Sequence, residues 1–365
     1  EIKQFSGAKE VLCVNSWTSA AIMMLRWFGV KEGDEVIVPA YTYSATALAV
    51  LHAGAKPVMV DTSEDFNISL DAIKKAITPR TKAIMPVDIA GFPCDYDEIM
   101  DLVKSSEIRP LFEAESENQE KLGRILVLND AAHSLGAWYK KGMRTGSETD
   151  IAIFSLHAVK NVTTAEGGAI CINLPAPFDN AKLYGELRQM ALNCQTKDAF
   201  SKSKAGGWRY DITGLGMKIN MADVNAAIGL AQIRIYEDLL KERKRVFDTY
   251  GEAFKQYDWA ILPPSKQGEK ETSYHLYALR IKGFTEAQRD AMIDEIAKSE
   301  VAVNVHFIPM PMLTLFKNLG YKIEDYPQAY NNYKGEISLP IYPQLTDEQV
   351  KFVIDTVVNA YNKVK

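Results

Sequence analysis

Short apolar runs alternate with helical patterns along the first half of the chain, and this alternation constrains the fold more than any other feature. The runs "EVIVPA", "KPVMVD", "RILVLND" and "DIAIFSL" are separated by segments whose apolar residues recur at helical spacing. Strands that are apolar throughout are typical of a mainly parallel sheet covered by helices on both faces. The alternation therefore predicts an α/β fold built on one large sheet.

A second and smaller unit is predicted in the last third of the chain. Residues 221–254 have a sustained helical period and are predicted to link the two units. After them, "SYHLYALRI" and "VAVNVHF" are predicted as strands between helices. We expect a large domain over residues 1–235 and a small C-terminal α+β domain over residues 236–365, since 365 residues exceed the usual size of one domain.

Composition argues against several classes of protein. A net charge of −5 provides no basic surface for nucleic acid, and no apolar run is long enough to cross a membrane. No signal peptide is recognisable. The four cysteines are scattered without a C-x-x-C pair, so neither a disulfide framework nor a metal site is predicted, and the expected location is the reducing cytoplasm.

Two charged residues follow neighbouring predicted strands. Ligands of open parallel sheets bind beyond the carboxyl ends of the strands. Asp130 ends one apolar strand, and Lys160 follows the next in "FSLHAVKNVTTAEGG". If they share a pocket, they suit pyridoxal phosphate (PLP), which needs an amine for a Schiff base and a carboxylate that keeps its ring nitrogen protonated. The alternatives are a turn cap for Asp130 and a surface cation for Lys160.

Two further strand ends provide an anchor for such a cofactor. "NSWTSA" lies between a strand and a helix, so its backbone N–H groups and the Thr18 hydroxyl can bind a phosphate at the helix N-terminus. Ser155 can add a hydroxyl, and Tyr43 in "PAYTYSAT" can stack on the ring. The alternatives are a helix N-cap by Ser16 or Thr18, packing by Tyr43, and a core position for His133.

Six segments, in the same order, resemble the DegT/DnrJ/EryC1/StrS aminotransferases from about Phe5 to Ala360. The segments are "VNSWTSA", "GDEVIVPAYTYSATALAVLHAGAKPVMVD", "DAAHSLGA", "FSLHAVKNVTTAEGG", "WRYDITGLGMKINMADVNAAIGLAQ" and "ISLPIYPQLTDEQVKFVI". The resemblance implies a fold-type-I PLP-dependent transferase with pyridoxamine phosphate as the intermediate form of its cofactor. Members usually carry a few dozen residues before the first of these motifs, so further residues are expected before Glu1.

The resemblance implies a role for each matching residue. Lys160 matches the lysine that forms the Schiff base, and Asp130 matches the partner of the pyridine nitrogen. The other matching positions are ring contacts (His133, Tyr43) and phosphate ligands (Trp17, Thr18, Ser155). In the small domain, His306 and the pair Tyr274 and His275 could approach the substrate, and core or surface roles are the alternatives.

Two positions depart from the family's pattern. Many members have glycine where this chain has Trp17, and the bulky indole is expected to lie toward the substrate. Many also have Asn-Tyr-Arg where this chain has Lys218-Ile219-Asn220. The family typically forms homodimers with shared active sites, and this segment crosses between subunits. Lys218 is therefore predicted to contact the phosphate of the partner's cofactor, with a solvated lysine as the alternative.

The predicted activity is transfer of an amino group from an amino acid, by family analogy L-glutamate, to a nucleotide-linked keto-deoxy sugar. The expected sugar is a 4-keto-6-deoxyhexose or its 3-keto isomer, for the synthesis of deoxyamino sugars or polysaccharides. Lys160 would move the proton in both halves of a ping-pong cycle. Sugar dehydratases of the family have histidine at this position, so Lys160 argues against dehydration. A cyclitol aminotransferase and a non-catalytic PLP-binding regulator remain alternatives.

Overall fold

The computed structural model describes residues 1–197 and 208–365. The polar composition of residues 195–207 predicts a mobile loop. From residue 198 onward, this predicted loop lies outside the described residues. Within the described residues no helix combines the length and the apolar character that a membrane span requires. All four cysteines are free.

The strands and helices of the described residues follow one another much as the sequence predicts. The strands are β1 (Glu10–Val14), β2 (Glu35–Pro39), β3 (Lys56–Val60), β4 (Thr81–Ile84), β5 (Leu126–Asp130), β6 (Trp138–Lys140), β7 (Met143–Arg144), β8 (Ile151–Ser155), β9 (Gly168–Ile172), β10 (Ala260–Ile261), β11 (Lys266–Gln267), β12 (Lys270–Glu271), β13 (Tyr277–Ile281) and β14 (Glu336–Leu339). The α-helices are α1 (Ile2–Ser6), α2 (Trp17–Trp27), α3 (Ala45–His52), α4 (Leu70–Ala76), α5 (Tyr96–Lys104), α6 (Glu117–Leu122), α7 (Asn180–Met190), α8 (Asp223–Arg234), α9 (Tyr236–Phe254), α10 (Glu286–Ala297), α11 (Thr314–Asn318), α12 (Pro327–Lys334) and α13 (Asp347–Val364).

A seven-stranded sheet, in the order β1-β9-β8-β5-β4-β2-β3, forms the centre of the larger part. Neighbours from β8 to β3 run parallel, whereas β9 runs antiparallel to both β1 and β8. Every residue of β2, β4, β5 and β9 is buried, because helices cover both faces of the sheet. The predicted α/β fold with a mainly parallel sheet is confirmed.

The topology brings four chain segments to one edge of the sheet. Because β1 and β8 both pair antiparallel with β9, their carboxyl ends point the same way as those of β2 and β5. Gly168, at the start of β9, pairs with Val14 at the end of β1 and with Ser155 at the end of β8. The segments that follow β1, β2, β5 and β8 therefore meet beyond this edge.

A buried ion pair ties together the opposite ends of β5 and β8. Arg124 donates to Asp150 through both terminal nitrogens, at 2.7 and 2.6 Å. Asp150 Oδ2 also accepts a hydrogen bond from the backbone N–H of Val127, at 3.1 Å. A bidentate pair of this kind fixes geometry well, so it stabilises the alignment of the two strands whose far ends carry Asp130 and the Lys160 segment.

The smaller sheets lie mostly in the last third of the chain. One has the order β10-β13-β14 and is antiparallel, and the other has the order β11-β12-β6-β7. The predicted linker helix is two helices, α8 and α9, which break at Ile235, where φ is −106° and ψ is 3°. The predicted domain boundary at residues 235 and 236 falls at this break and stays a prediction.

The predicted strand "VAVNVHF" is wrong. Residues 301–307 form no strand, and Asn304 makes a single bridge to Ser338. The backbone bends because His306, within this segment, forms hydrogen bonds to side chains and not to a neighbouring strand. Its N–H donates to the Glu336 carboxylate at 3.0 Å, and its C=O accepts from the Tyr41 hydroxyl at 2.6 Å. Two of the alternating apolar residues of this segment, Val303 and Phe307, line a cavity instead of forming part of a sheet.

Candidate active site

A cavity of about 740 Å³ opens at the edge of the sheet where β1, β2, β5 and β8 end. Seven of the predicted site residues line it: Trp17, Thr18, Tyr43, Asp130, His133, Ser155 and Lys160. Lys218 does not line it, and its exposed amine instead donates to the side chain of Asn220. The predicted contact of Lys218 concerns a partner subunit and stays a prediction.

The N-terminus of α2 forms a cup at one end of the cavity. Ser16 is the N-cap, and its hydroxyl accepts from Ser19 N–H at 3.1 Å. The backbone N–H groups of Trp17 and Thr18 have no acceptor among residues 1–197 and 208–365, and the Thr18 side chain lines the cavity. Ser16 therefore caps the helix, and the remaining donors fit an anion such as a phosphate.

Gly168 supports the cup by close approach of its backbone. A β-carbon at this position would lie 2.7 Å from the carbonyl carbon of Ser16 and 2.8 Å from the nitrogen of Trp17. These contacts are with backbone atoms, which cannot rotate away. The position of the N-terminus of α2 therefore depends on the absence of a side chain at residue 168.

Gly168→Ala is expected to weaken PLP binding and to lower the free energy of unfolding by about 1–3 kcal/mol, the usual cost of overpacking. Titration of PLP and urea unfolding measure the two effects. Gly185→Ala is the matched control, because Gly185 lies in α7 with open space around it, and alanine there should be neutral or slightly stabilising. Equal PLP affinity in the Gly168 variant and the wild type would contradict the role given to the cup.

Asp130 lines the cavity and is 4% exposed. Thr46 Oγ1 donates to its Oδ2 at 2.8 Å, and the backbone N–H of Ala132 donates to its Oδ1 at 3.2 Å. Burial raises the pKa of Asp130 to about 7, against the opposing effect of these hydrogen bonds and of the Lys160 charge. The carboxyl is thus held rigidly where it can pair with a protonated ring nitrogen.

Lys160 lies on a loop that is closed by backbone hydrogen bonds. Leu156 N–H donates to Gly167 O at 2.9 Å, and Thr164 N–H donates to Leu156 O at 2.8 Å. Burial lowers the pKa of Lys160 to about 8, and the negative charge of Asp130 opposes this shift. Since a neutral amine is the nucleophile that attacks a carbonyl, this lowered pKa favours covalent attachment of a carbonyl cofactor near neutral pH.

His133 forms part of the cavity wall as a buried aromatic ring. It lies 4.5 Å from the ring of His275 and 5.9 Å from that of Phe307, centroid to centroid. Burial lowers the pKa of His133, and the charges of Lys160 and His306 lower it further. The imidazole is therefore neutral at physiological pH, and its flat surface suits contact with an aromatic ligand.

The two predicted aromatic residues differ in how they line the cavity. Tyr43 is 61% exposed and packs only partly against Phe307, with 5.7 Å between ring centroids, so one face remains open for stacking. Trp17 is 5% exposed and belongs to the main hydrophobic core. The indole therefore lines the cavity from within the core, and the expected position toward the substrate stays a prediction.

Several cavity residues have no sequence motif that would reveal them. Thr46 supports Asp130 from α3, 84 positions away in the sequence. His275 and His306, both left open by the sequence, line the cavity, and burial lowers the pKa of His306 to about 4. The only available signal for Thr46 is its i, i+4 spacing from Thr42 in "YTYSAT". Arg243, in the middle of α9, gives no signal at all.

The donor set fits PLP. The unpaired N–H groups and Thr18 suit its phosphate, Asp130 suits its ring nitrogen, and Lys160 Nζ suits its aldehyde. The amine of Lys160 has no hydrogen-bond or ion-pair partner in the part of the chain that the structure describes, so it is available for attachment. These groups line a single cavity, as the predicted juxtaposition of Asp130 and Lys160 requires.

Comparisons with known proteins point to one family. The model of the DegT/DnrJ/EryC1/StrS aminotransferase family matches residues 1–358. The spore coat polysaccharide biosynthesis protein SpsC of Bacillus subtilis is 35% identical over 98% of this chain and 87% of its own length. Among solved structures, the PMP form of the putative sugar aminotransferase Spr1654 from Streptococcus pneumoniae is 40% identical, with a TM-score of 0.95 over 100% of this chain and 90% of that one; it is also solved in a PLP form. PseC of Helicobacter pylori, an aminotransferase involved in the biosynthesis of pseudoaminic acid, is 25% identical, with a TM-score of 0.85. The match covers 99% of this chain and 89% of PseC.

Proposed function

Because the chain belongs to the DegT/DnrJ/EryC1/StrS aminotransferase family, we propose that it transfers an amino group from L-glutamate to a nucleotide-linked keto-deoxy sugar. The chain is a PLP-dependent sugar aminotransferase with the fold-type-I architecture. The proposal adds the amino donor and the nucleotide-linked form of the acceptor, most simply a 4-keto-6-deoxyhexose or its 3-keto isomer. The observation that carries it is the single cavity that holds Lys160, Asp130 and the α2 cup.

The residues of the cavity divide the work between binding and proton transfer. The α2 N-terminus and Thr18 would hold the phosphate of PLP, while Asp130 and the ring of His133 would orient its pyridine ring. Bound PLP withdraws electrons from the Cα of an attached amino acid, which makes its Cα–H acidic. Lys160 Nζ, with its pKa lowered to about 8, can accept and return this proton near neutral pH.

The size and lining of the cavity support a sugar acceptor. A volume of about 740 Å³ lies in the upper range for small-molecule sites, so it can hold a substrate besides a cofactor. Its small-domain side presents His306 and Asn304, whose Nε2 and Nδ2 atoms can form hydrogen bonds with sugar hydroxyls, while Ser338 contacts His306 Nδ1 at 2.9 Å. SpsC and PseC are both described by roles in the synthesis of polysaccharides or amino sugars, which favours the same class of acceptor.

We also propose that the chain forms a homodimer with shared active sites. The support is an apolar surface around residues 212–228: α8 buries only Ile233, while Leu215 is 92% exposed and Val224 and Ile228 are exposed as well. Several exposed large apolar side chains within one segment support an interface there. Multi-angle light scattering should give twice the chain mass, and a monomer at micromolar concentration would contradict the dimer.

We infer a cytoplasmic location for the enzyme, without nucleic-acid or membrane partners. The support is the four free cysteines, which suit a reducing compartment, and the net charge of −5. Nucleotide-linked sugars are made from intracellular nucleotides, so the proposed substrate agrees with this location.

A panel of nucleotide-linked keto sugars with L-glutamate, analysed by product mass, tests the proposal. We expect one keto sugar to gain an amino group in place of its carbonyl oxygen, with 2-oxoglutarate formed in equal amount. Loss of a hydroxyl group instead would indicate a dehydratase, and amination of a cyclitol ketone alone would indicate a cyclitol aminotransferase. Either result, or PLP binding without any turnover, would contradict the proposed function.

A further inference from the structure

Arg243 is a buried cation in the wall of the cavity. It lies on α9, is 7% exposed and lines the cavity. Its Nη1 approaches three backbone carbonyl oxygens, those of Tyr274 and His275 at 3.5 Å and that of Ile341 at 3.1 Å. Within the described ranges, 1–197 and 208–365, no carboxylate pairs with it. A buried guanidinium is normally paired with an anion, since its desolvation is costly.

Most of the hydrogen-bonding capacity of Arg243 is unused. A guanidinium has five N–H donors, and among the described residues only Nη1 has acceptors. Nε is buried and has no partner among the same residues. Nη2 also has no acceptor in the described part of the chain, but it is not fully buried, so it is accessible through the cavity that Arg243 lines. The side chain thus presents two N–H donors and a positive charge to the cavity.

The surroundings of Arg243 connect it to the loop of the reactive lysine. Arg243 contacts the backbone of His275, and His275 Nδ1 lies 2.9 Å from Asn161 Oδ1. The Asn161 amide is oriented by its Nδ2, which donates to Ser273 O at 2.8 Å, so its oxygen faces His275 and accepts the proton on Nδ1. Since Asn161 directly follows Lys160, Arg243 is held in a fixed position relative to the Lys160 segment.

We propose that Arg243 Nη2 binds an oxyanion of a substrate in this cavity, either a carboxylate of the amino donor or a phosphate of the nucleotide-linked sugar. This rests on the proposed function, because both oxyanions belong to its substrates. The α2 cup is built from residues before 169, whereas Arg243 and its contacts come from residues 243–341, so this is a second anion site in the same cavity. The planar guanidinium recognises carboxylates and phosphates through paired N–H donors.

Isothermal titration of the PLP-loaded full chain with two probes tests this site. The probes are glutarate, a dicarboxylate that lacks an amine, and UDP, a nucleoside diphosphate. We expect the affinity of Arg243→Gln for one of the two probes to be at least about tenfold lower than that of wild type. The affinity of Arg243→Lys for the same probe should lie between those of wild type and Arg243→Gln, because lysine keeps the charge but loses the planar geometry. A loss confined to glutarate assigns the donor carboxylate, and a loss confined to UDP assigns the phosphate.

Arg245→Gln is the matched control. Arg245 lies two residues further along α9, where it pairs with Glu242 and Asp347 at the surface, so its loss should leave both affinities unchanged. If Arg243→Gln fails to fold, Arg243→Lys carries the test. Unchanged affinities in a folded Arg243 variant would overturn the proposal, as would failure of both probes to bind wild type.

The same variants separate the two proposals. In turnover, Arg243→Lys should raise KM for the substrate that carries the recognised oxyanion, with a smaller effect on kcat. If Arg243 only fixes α9 against residues 274–275 and 341, its variants should instead have lower thermal stability. The Kd values of both probes and the ratio of the KM values of the two substrates should then be unchanged. If no amino sugar is formed but the Arg243-dependent affinity is seen, only the proposed function fails.

Discussion

Replacing Lys160 with alanine is expected to lower kcat for amino transfer by about 10⁴-fold, the upper end of what loss of a positioned proton-transfer group costs. The variant removes the one amine of the described cavity lining, which is placed both to attach the cofactor and to move a proton at the substrate. Neighbouring bases are poor replacements, because burial lowers the pKa values of His133 and His275 well below the usual histidine range. Steady-state assays with glutamate and the keto sugar measure the effect.

Lys182→Ala is the control for the loss of a lysine. Lys182 lies on the exposed side of α7 and pairs with Glu186. Lys182→Ala therefore changes the net charge by the same amount as Lys160→Ala but alters no side chain of the cavity. We expect its kcat to equal that of wild type. Both variants should retain the wild-type circular dichroism spectrum. If Lys160→Ala kept kcat within tenfold of wild type, the role assigned to this lysine would be wrong.

Asp130→Asn is expected to lose activity and gain stability. Activity should fall by about 10²–10³-fold, the usual cost of removing one preorganised electrostatic partner, because a neutral amide does not stabilise a protonated ring nitrogen. Without cofactor, Asp130→Asn should be more stable than wild type above pH 7, because the variant removes a buried charge. Steady-state kinetics give the first effect, and thermal melts at pH 5 and pH 9 give the second.

The sign of the stability effect follows from linkage. The pKa of Asp130 is raised from 3.8 to about 7 on folding, so the protonated carboxyl contributes stability that is fully present below pH 3.8 and is lost progressively as pH rises from there through 7. At pH 5 the acid is protonated in the folded state but mostly ionised in the unfolded state, so only part of this contribution is lost and the gain in Tm of Asp130→Asn should be smaller than at pH 9. At pH 9 wild type must bury the ionised carboxylate, and the favourable charge interaction with Lys160 is weakened because that amine, with a pKa of about 8, is mostly neutral.

Asp101→Asn provides the matched substitution at an exposed position on α5. It should leave Tm and activity unchanged at both pH values. A lower Tm for Asp130→Asn than for wild type at pH 9 would contradict the burial argument. Full activity of Asp130→Asn would contradict its assignment as the partner of the ring nitrogen.

The sheet and the groups at its edge could be predicted because they depend on local patterns. Apolar strands such as Leu126–Asp130 and Ile151–Ser155 are visible as short runs, and parallel strands necessarily bring their carboxyl ends to one edge. Asp130 ends the first of these runs and Lys160 follows the second, so their juxtaposition is a consequence of the sheet topology. The same reasoning places Thr18 and Tyr43 beside them.

The residues that support this site could not be predicted, because their partners are distant in sequence. Thr46 bonds to a carboxylate 84 positions away, and Arg243 contacts Ile341 across 98 positions. Residues 301–307 have the alternation of a strand, but the Glu336 side chain binds His306 N–H and the segment lines the cavity. Local periodicity reports that a segment has one buried face, and it does not report what covers that face.

Addition of L-glutamate to the PLP-loaded protein, without a sugar, tests the central claim most directly. The cavity around Lys160 and Asp130 should bind one PLP per chain with visible absorbance, and glutamate should remove that absorbance while one equivalent of 2-oxoglutarate is formed. Unchanged absorbance with every amino acid tried, or a folded protein that binds no PLP, would contradict an aminotransferase site in this cavity.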